Sequence, residues 1–225
     1  MSVQVRPPQG EGAKRLNAAV NRIATGIARH WLAVFNVMVA LFVGLPFLAP
    51  VLMEAGATGP ANLIYKVYAF TCHQLPERSI FFYGHDHFYT VETLEAEGFL
   101  SAGVSFFQRQ ALRWPGSDEA GWKVALCQRD VAIYASILIS GLLFGLVRLI
   151  LRPRAKWPKM PVWMFILLLA PIAVDGITQL FGWRDSVPLL RFLTGALMGS
   201  ATVWFAYPHI EEAMQDVILT TRTNA

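Results

Sequence analysis

The sequence predicts an all-α, polytopic helical membrane protein with four spanning helices and one re-entrant or interfacial helix. Composition is the first reason. Of 225 residues, 55% are hydrophobic and only 15% charged, against about 25% charged in soluble domains. The second is the presence of four apolar runs, at 31–53, 131–151, 161–183 and 187–207, each near the roughly 20 residues that cross the hydrocarbon of a bilayer. The third is that Lys and Arg flank these runs, as topology signals do. The net charge of +4 is not gathered into a groove interleaved with aromatics, so nucleic acid is excluded as a partner. The implied partner is the lipid bilayer, with other membrane subunits left open.

Residues 1–30 form a basic segment in which Leu16, Val20, Ile23 and Ile27 recur at helical spacing, with Lys14, Arg15, Arg22 and Arg29 on the other face. Two readings stand: a helix lying on an anionic leaflet, or a helical extension of the first span. The first apolar run starts at Trp31 and is long enough to span, so it reads as an anchor and not as a cleavable signal. Pro46 and Pro50 are expected to kink or finish it. Segment 62–83 has helical length but carries Lys66, Cys72, His73, Gln74, Glu77 and Arg78. Each central charge costs about 3 kcal/mol on insertion scales, so a lipid-exposed span is excluded.

Basic residues set the expected orientation. Arg6, Lys14, Arg15, Arg22 and Arg29 precede the first span, and Arg148, Arg152, Arg154, Lys156 and Lys159 lie between the second and third. Both groups are expected in the cytoplasm of a multi-pass protein of the cell membrane, with both termini. Segment 84–124 is poor in Lys and Arg and reads as an outer loop. The 62–83 segment then begins and ends outside, dipping in without crossing. Within the loop, Phe99, Leu100, Val104, Phe106, Phe107, Leu112 and Trp114 suggest a short helix on the membrane, closed by a turn at Trp114-Pro115-Gly116. His85-Asp86-His87 has metal-ligand residue types but reads as a solvated cluster. Gly141 with Gly145, and Gly195 with Gly199, have the spacing of close helix packing. A turn is expected at Arg184-Asp185-Ser186, and 209–225 reads as a polar tail. No internal repeat marks an inverted-repeat transporter.

Candidate chemistry gathers in two places. Asp175 lies mid-span, Gln179 one turn on, and Arg191 one turn into the next helix, a polar track in which an intramembrane acid and base point to function. The alternative is that Asp175 and Arg191 form a structural pair. The second place is the interfacial level of Cys72, His73 and Arg78 with Cys127, Arg129, Asp130 and Tyr134. Arg78, Arg129, Tyr134, Gln179 and Arg191 are candidate binding residues, and Asp130 and Asp175 candidate proton-transfer groups. Cys72 and Cys127, 55 positions apart, fit no CxxC or zinc-finger spacing. They are open to a disulfide, a thiol pair, or a metal site that adds Asp130 and either His73 or a loop histidine. Helical neighbours point about 100° apart, which counts against Cys72 and His73 chelating one ion or acting as nucleophile and base. His30 and His209 do not oppose each other within the membrane, so a bis-histidine haem is not indicated. Nothing in the sequence names a cofactor.

Four ordered motifs, Cys72-His73-Gln74-Leu75-Pro76-Glu77-Arg78-Ser79, Cys127-Gln128-Arg129-Asp130 with Ala132-Ile133-Tyr134, Asp175-Gly176-Ile177-Thr178-Gln179 and Arg191-Phe192-Leu193-Thr194-Gly195, resemble those of the membrane proteins grouped as domain of unknown function 2085. The resemblance runs over about 63–208 and departs from that family's compact pattern in the long stretch between the cysteine motifs. It implies a small polytopic membrane protein and carries no settled activity. Three functions follow as alternatives: a site that binds or modifies a lipid or other small amphiphile, a structural or assembly subunit of a larger membrane complex, and a transporter.

Overall fold

The computed structural model describes residues 10–151, 157–181, 183 and 186–223. Residues 1–9, the cations Arg152, Arg154 and Lys156, and Arg184 and Asp185 of the expected turn lie outside the described residues. Among the described residues, four helices are long and apolar enough to cross a membrane, within Arg15–Glu54, Gln128–Ile150, Val162–Gln179 and Pro188–Thr221. The chain is a multi-pass helical membrane protein, as its composition predicts.

Helix α1 runs unbroken over Glu11–Glu54, about 66 Å at 1.5 Å per residue. The basic segment and the first span are therefore one element, the second of the two readings. Gly56 at φ 75° ends it. The Gly56 N–H donates to the Met53 carbonyl at 3.0 Å and the Ala57 N–H to the Leu52 carbonyl at 2.8 Å, the paired bonds of a Schellman stop. Pro46 and Pro50 lie inside the helix and do not finish it. Pro46 has no N–H for the Phe42 carbonyl one turn back, and the Tyr68 hydroxyl donates to that carbonyl at 2.7 Å. A side chain from the next element thus replaces the bond that the proline removes, as a membrane helix requires.

Helix α2, Thr58–Tyr68, packs Ala61, Ile64, Tyr65 and Tyr68 inward. The helix expected over 62–83 stops at Tyr68. Leu75 takes the extended setting φ −61°, ψ 133° that the ring of Pro76 imposes on its predecessor, and Gln74 adopts a left-handed φ of 54°. A 3-10 turn, Pro76–Arg78, leads into strand β1, Ser79–Phe82. The expected outer loop is a folded unit: α3 (Val91–Ala96), α4 (Phe106–Leu112), β2 (Gly116–Ser117) and β3 (Gly121–Cys127). The three strands form an antiparallel sheet in the order β1-β3-β2, a β addition to the all-α prediction. Phe81, Tyr89, Leu94, Leu100 and Ala120 make its core, with Phe99 and Trp114 packed against them. These aromatics are therefore spent on an internal core and not on a membrane-lying helix; Phe107, on α4, stays exposed.

Helix α5, Gln128–Leu151, follows β3 without a break, and α6 (Val162–Leu180) and α7 (Pro188–Thr223) complete the bundle. Both glycine pairs serve packing within the chain. A Cβ at Gly199 would lie 2.1 Å from Ser136 Oγ and 2.3 Å from the Ile133 carbonyl oxygen, and one at Gly141 would lie 2.3 Å from Asn36 Oδ1. The expected polar tail is the end of α7, which continues through Pro208. There Glu211, 1% exposed, accepts from Trp31 Nε1 at 2.9 Å, Arg148 Nε at 3.0 Å and Gln215 Nε2 at 3.0 Å, joining α1, α5 and α7 at the end of the bundle opposite the sheet.

The Tyr68 bond gives a direct test of how α1 tolerates Pro46. Tyr68→Phe leaves the freed Phe42 carbonyl without its donor, and is expected to lower stability by about 1–3 kcal/mol, read as a fall in the melting temperature of the detergent-solubilised protein.

Candidate functional site

The four motifs meet at the sheet end of the bundle, around a cavity of about 280 Å³ lined by Cys72, His73, Arg78, Cys127, Arg129, Asp130, Gln179 and Arg191 among others. Each arrives from a different element. Residues 69–75 form the loop after α2, Cys127 ends β3, Arg129 and Asp130 open α5, Gln179 lies in the last turn of α6, and Arg191 in the first turn of α7.

Backbone strain and its compensation shape the loop. A left-handed non-glycine residue costs about 1–2 kcal/mol, and at Gln74 two bonds offset it. The Gln74 Nε2 donates to the Tyr65 carbonyl at 2.8 Å, and Lys123 Nζ donates to the Gln74 carbonyl at 2.7 Å. Pairing of β1 with β3 sets Ser79 opposite Cys127, which brings the two cysteine motifs together. Both cysteines are free, and the Cys127 N–H donates to Cys72 Sγ at 3.2 Å. The Cys72 and Cys127 sulfurs and an Asp130 carboxylate oxygen lie within 4.8 Å of one another. The hydrogen bond with Cys127, burial and the nearby Asp130 charge all push the Cys72 thiol pKa up.

The arginines are held in part and unsatisfied in part. Arg191 Nη1 donates to the Glu77 carbonyl at 2.9 Å and to Gln128 Oε1 at 3.1 Å, while Gln128 Nε2 donates to the Ser79 carbonyl at 2.9 Å. Arg129 pairs with Asp175, which also accepts from the Ser186 hydroxyl at 3.2 Å. Arg78 lies over the Phe106 ring, 5.6 Å from its centre. Yet Arg78 Nε, Arg129 Nε, Arg191 Nε and Gln179 Nε2 are buried with no hydrogen-bond partner. All four atoms belong to residues lining the one cavity. They are donors, so the cavity presents unmet demand for an acceptor.

Several expectations change. Asp175 pairs with Arg129 and not with Arg191, and stands behind the cavity wall. Tyr134 packs edge-on against Phe42, with ring centres 4.7 Å apart, and does not line the cavity. His73 lines the cavity but is exposed, and it is not in the cluster of ligand atoms. It lies outside any helix, so the helical spacing assumed from the sequence does not apply to Cys72 and His73. His85 and His87 hold the outer unit together: His85 Nε2 lies 3.1 Å from Glu97, and His87 Nδ1 2.8 Å from the Phe81 carbonyl oxygen.

Sequence reading missed Lys123, Gln128 and Ser186 as parts of the site, and Glu77 as a buried group. Glu77 pairs with Arg109 at 3.2 Å. Lys123 is fully buried beside Cys72 and Gln74. Desolvation lowers its pKa from 10.5 to about 8, against the opposing pull of Cys72 and Glu77.

Residues 119–205 match the family described as "Predicted membrane protein (DUF2085)", the family that the motifs resemble. The match contains the Cys127, Asp175 and Arg191 motifs and leaves the Cys72 motif outside it. The chain is also similar to an uncharacterised protein of Methanocaldococcus jannaschii, 29% identical over 167 residues that make up 72% of this chain and 81% of the relative. No solved structure matches.

A lysine with a lowered folded pKa binds fewer protons folded than unfolded between about pH 8 and 10.5, so its contribution to stability rises with pH across that window. Lys123→Met removes the dependence. The melting temperature of the variant relative to the parent is expected to be highest near pH 7 and to fall as pH is raised from 8 to 10.

Proposed function

We propose that this membrane protein binds the anionic group of a lipid or other small amphiphile, a phosphate or carboxylate, in the arginine-lined cavity. The observation that carries the reading is the convergence of four partnerless buried donors, on Arg78, Arg129, Arg191 and Gln179, upon one cavity. A guanidinium fork matches the oxygens of a carboxylate or phosphate, and charge-assisted bonds to such an anion are stronger than neutral ones. The lining holds three arginines against the single acid Asp130, so an anion reduces the local imbalance of charge.

The surroundings favour an amphiphile over a free ion. Phe70, in the loop that carries Cys72, is 93% exposed, and helix α2 turns Leu63 and Val67 outward. Its inner face packs on α1 and β3, so the exposed face fits a position in the bilayer interface. An amphiphile there can place its head in the cavity and keep its chain in lipid. The basic residues Arg15, Arg22, Arg29, Arg148 and Lys159 all belong to the end away from the sheet, which supports cytoplasmic termini and an outward cavity.

Arg78 offers a clean test because its side chain makes a ring contact and no hydrogen bond at Nε. In neutral detergent, an anionic amphiphile such as phosphatidylglycerol is expected to raise the melting temperature saturably, by the equivalent of about 2.7 kcal/mol at a hundredfold excess over Kd. A zwitterionic or uncharged lipid of the same chain length gives a smaller shift, and Arg78→Gln loses the difference. Equal shifts from charged and uncharged lipids, or an unchanged response in the variant, would contradict the reading.

A further inference from the structure

We infer that Cys72, Cys127 and Asp130 form a divalent metal site, of zinc type, in the wall of the cavity. The inference is independent of anion binding. The three ligand atoms come from two separate segments and lie within 4.8 Å of one another. A tetrahedral zinc ion with bonds of about 2.3 Å to sulfur and 2.0–2.2 Å to oxygen holds its ligand atoms about 3.5–3.8 Å apart. A closing movement of at most an ångström or so therefore separates the cluster from ligating geometry. Two thiolates with one carboxylate favour zinc over magnesium or calcium, which prefer all-oxygen sites.

The setting supplies what such a site needs around it. The position of Cys127 is fixed by the β1–β3 ladder and by its own N–H bond to Cys72 Sγ, and Asp130 by the first turn of α5. Binding exchanges two thiol protons, released to solvent, for two metal–sulfur bonds, with no change of oxidation state. The ion with two thiolates and a carboxylate carries a net single negative charge. Arg78, Arg129 and Arg191 line the same cavity, and Lys123 lies buried beside Cys72, so that charge is compensated. Three protein ligands would leave a fourth position open, the arrangement of zinc centres that admit water or a ligand, and all three residues line the cavity. His73 lines the cavity outside the ligand cluster and is not required.

The test uses the full chain in detergent. After chelation and gel filtration, the protein is titrated with zinc alone, and bound metal is measured by elemental mass spectrometry alongside alkylation of the two thiols. The expected result is one zinc per chain with both thiols protected. Cobalt in its place is expected to give thiolate-to-metal charge-transfer absorption. Asp130→Asn, which keeps side-chain size, and Cys72→Ser are expected to weaken binding by more than the roughly 10–100-fold that outer-shell changes cost, with His73→Ala close to the parent. Three results would overturn the site: both thiols alkylatable at every zinc concentration, binding unaffected by Asp130→Asn and Cys72→Ser, or thiols that resist alkylation until a reductant is added, which would mark a disulfide.

Discussion

The ion pair of Arg129 with Asp175 is the constraint on which the sheet end of the molecule depends. Asp175 has a side chain 2% exposed in the middle of an apolar helix, where an unpaired carboxylate would cost several kcal/mol. Apart from its packing on α7, where Phe165 stacks on Phe205, helix α6 offers little else to fix its position. It turns Val162, Trp163, Ile166, Leu167, Val174 and Ile177 outward, and packs against α7. The pair with Arg129 ties it to the start of α5, and the Ser186 hydroxyl ties it to the entry of α7. Arg191 then ties α7 to the Pro76–Arg78 turn and to Gln128. Two sets of polar contacts, adjacent along the chain at Gln128 and Arg129, thus set the register of elements whose apolar faces could slide against lipid or one another.

The same contacts explain why the cavity remains polar. Arginines that serve as ties spend their terminal nitrogens on Asp175, the Glu77 carbonyl and Gln128, and leave a buried Nε without an acceptor on residues that line the cavity. A site built only for architecture would gain by satisfying those donors within the protein. Their presence beside two free thiols and a carboxylate is the observation on which both the proposed anion and the proposed cation rest. The two are compatible, since a thiolate-bound metal and an arginine-bound anion offset each other's charge.

Much of this was legible in the sequence, for physical reasons. Spans are visible because lipid demands about 20 apolar residues in a row, and ionisable residues inside them stand out for the same reason. That is how Asp175 and Arg191 could be singled out, while Arg129 stood out in the polar cluster ahead of the second span. Which arginine meets Asp175 was not legible, since helix rotation and packing decide it. The sheet was hidden because Ser79–Phe82 is a short apolar run, and such runs do not separate strand from helix by periodicity. Pro76 was the available signal against a helix through 62–83, and its effect on Leu75 is what the structure shows. Lys123 gave no signal at all: it sits in Gly121–Cys127, where the pairing of β3 between β1 and β2 buries it. Glu211 looked like part of a solvated tail, and only the joint extension of α1 and α7 beyond their apolar runs makes it a buried hub.

The most direct measurement of the central claim is a double-mutant cycle on Arg129→Gln and Asp175→Asn, read by equilibrium unfolding in detergent. If the pair sets the register of α5 and α6, each single change destabilises strongly and the double change costs less than their sum, with a coupling of about 1–3 kcal/mol. Additive effects would mean that the two residues act apart, and would contradict a network centred on their contact.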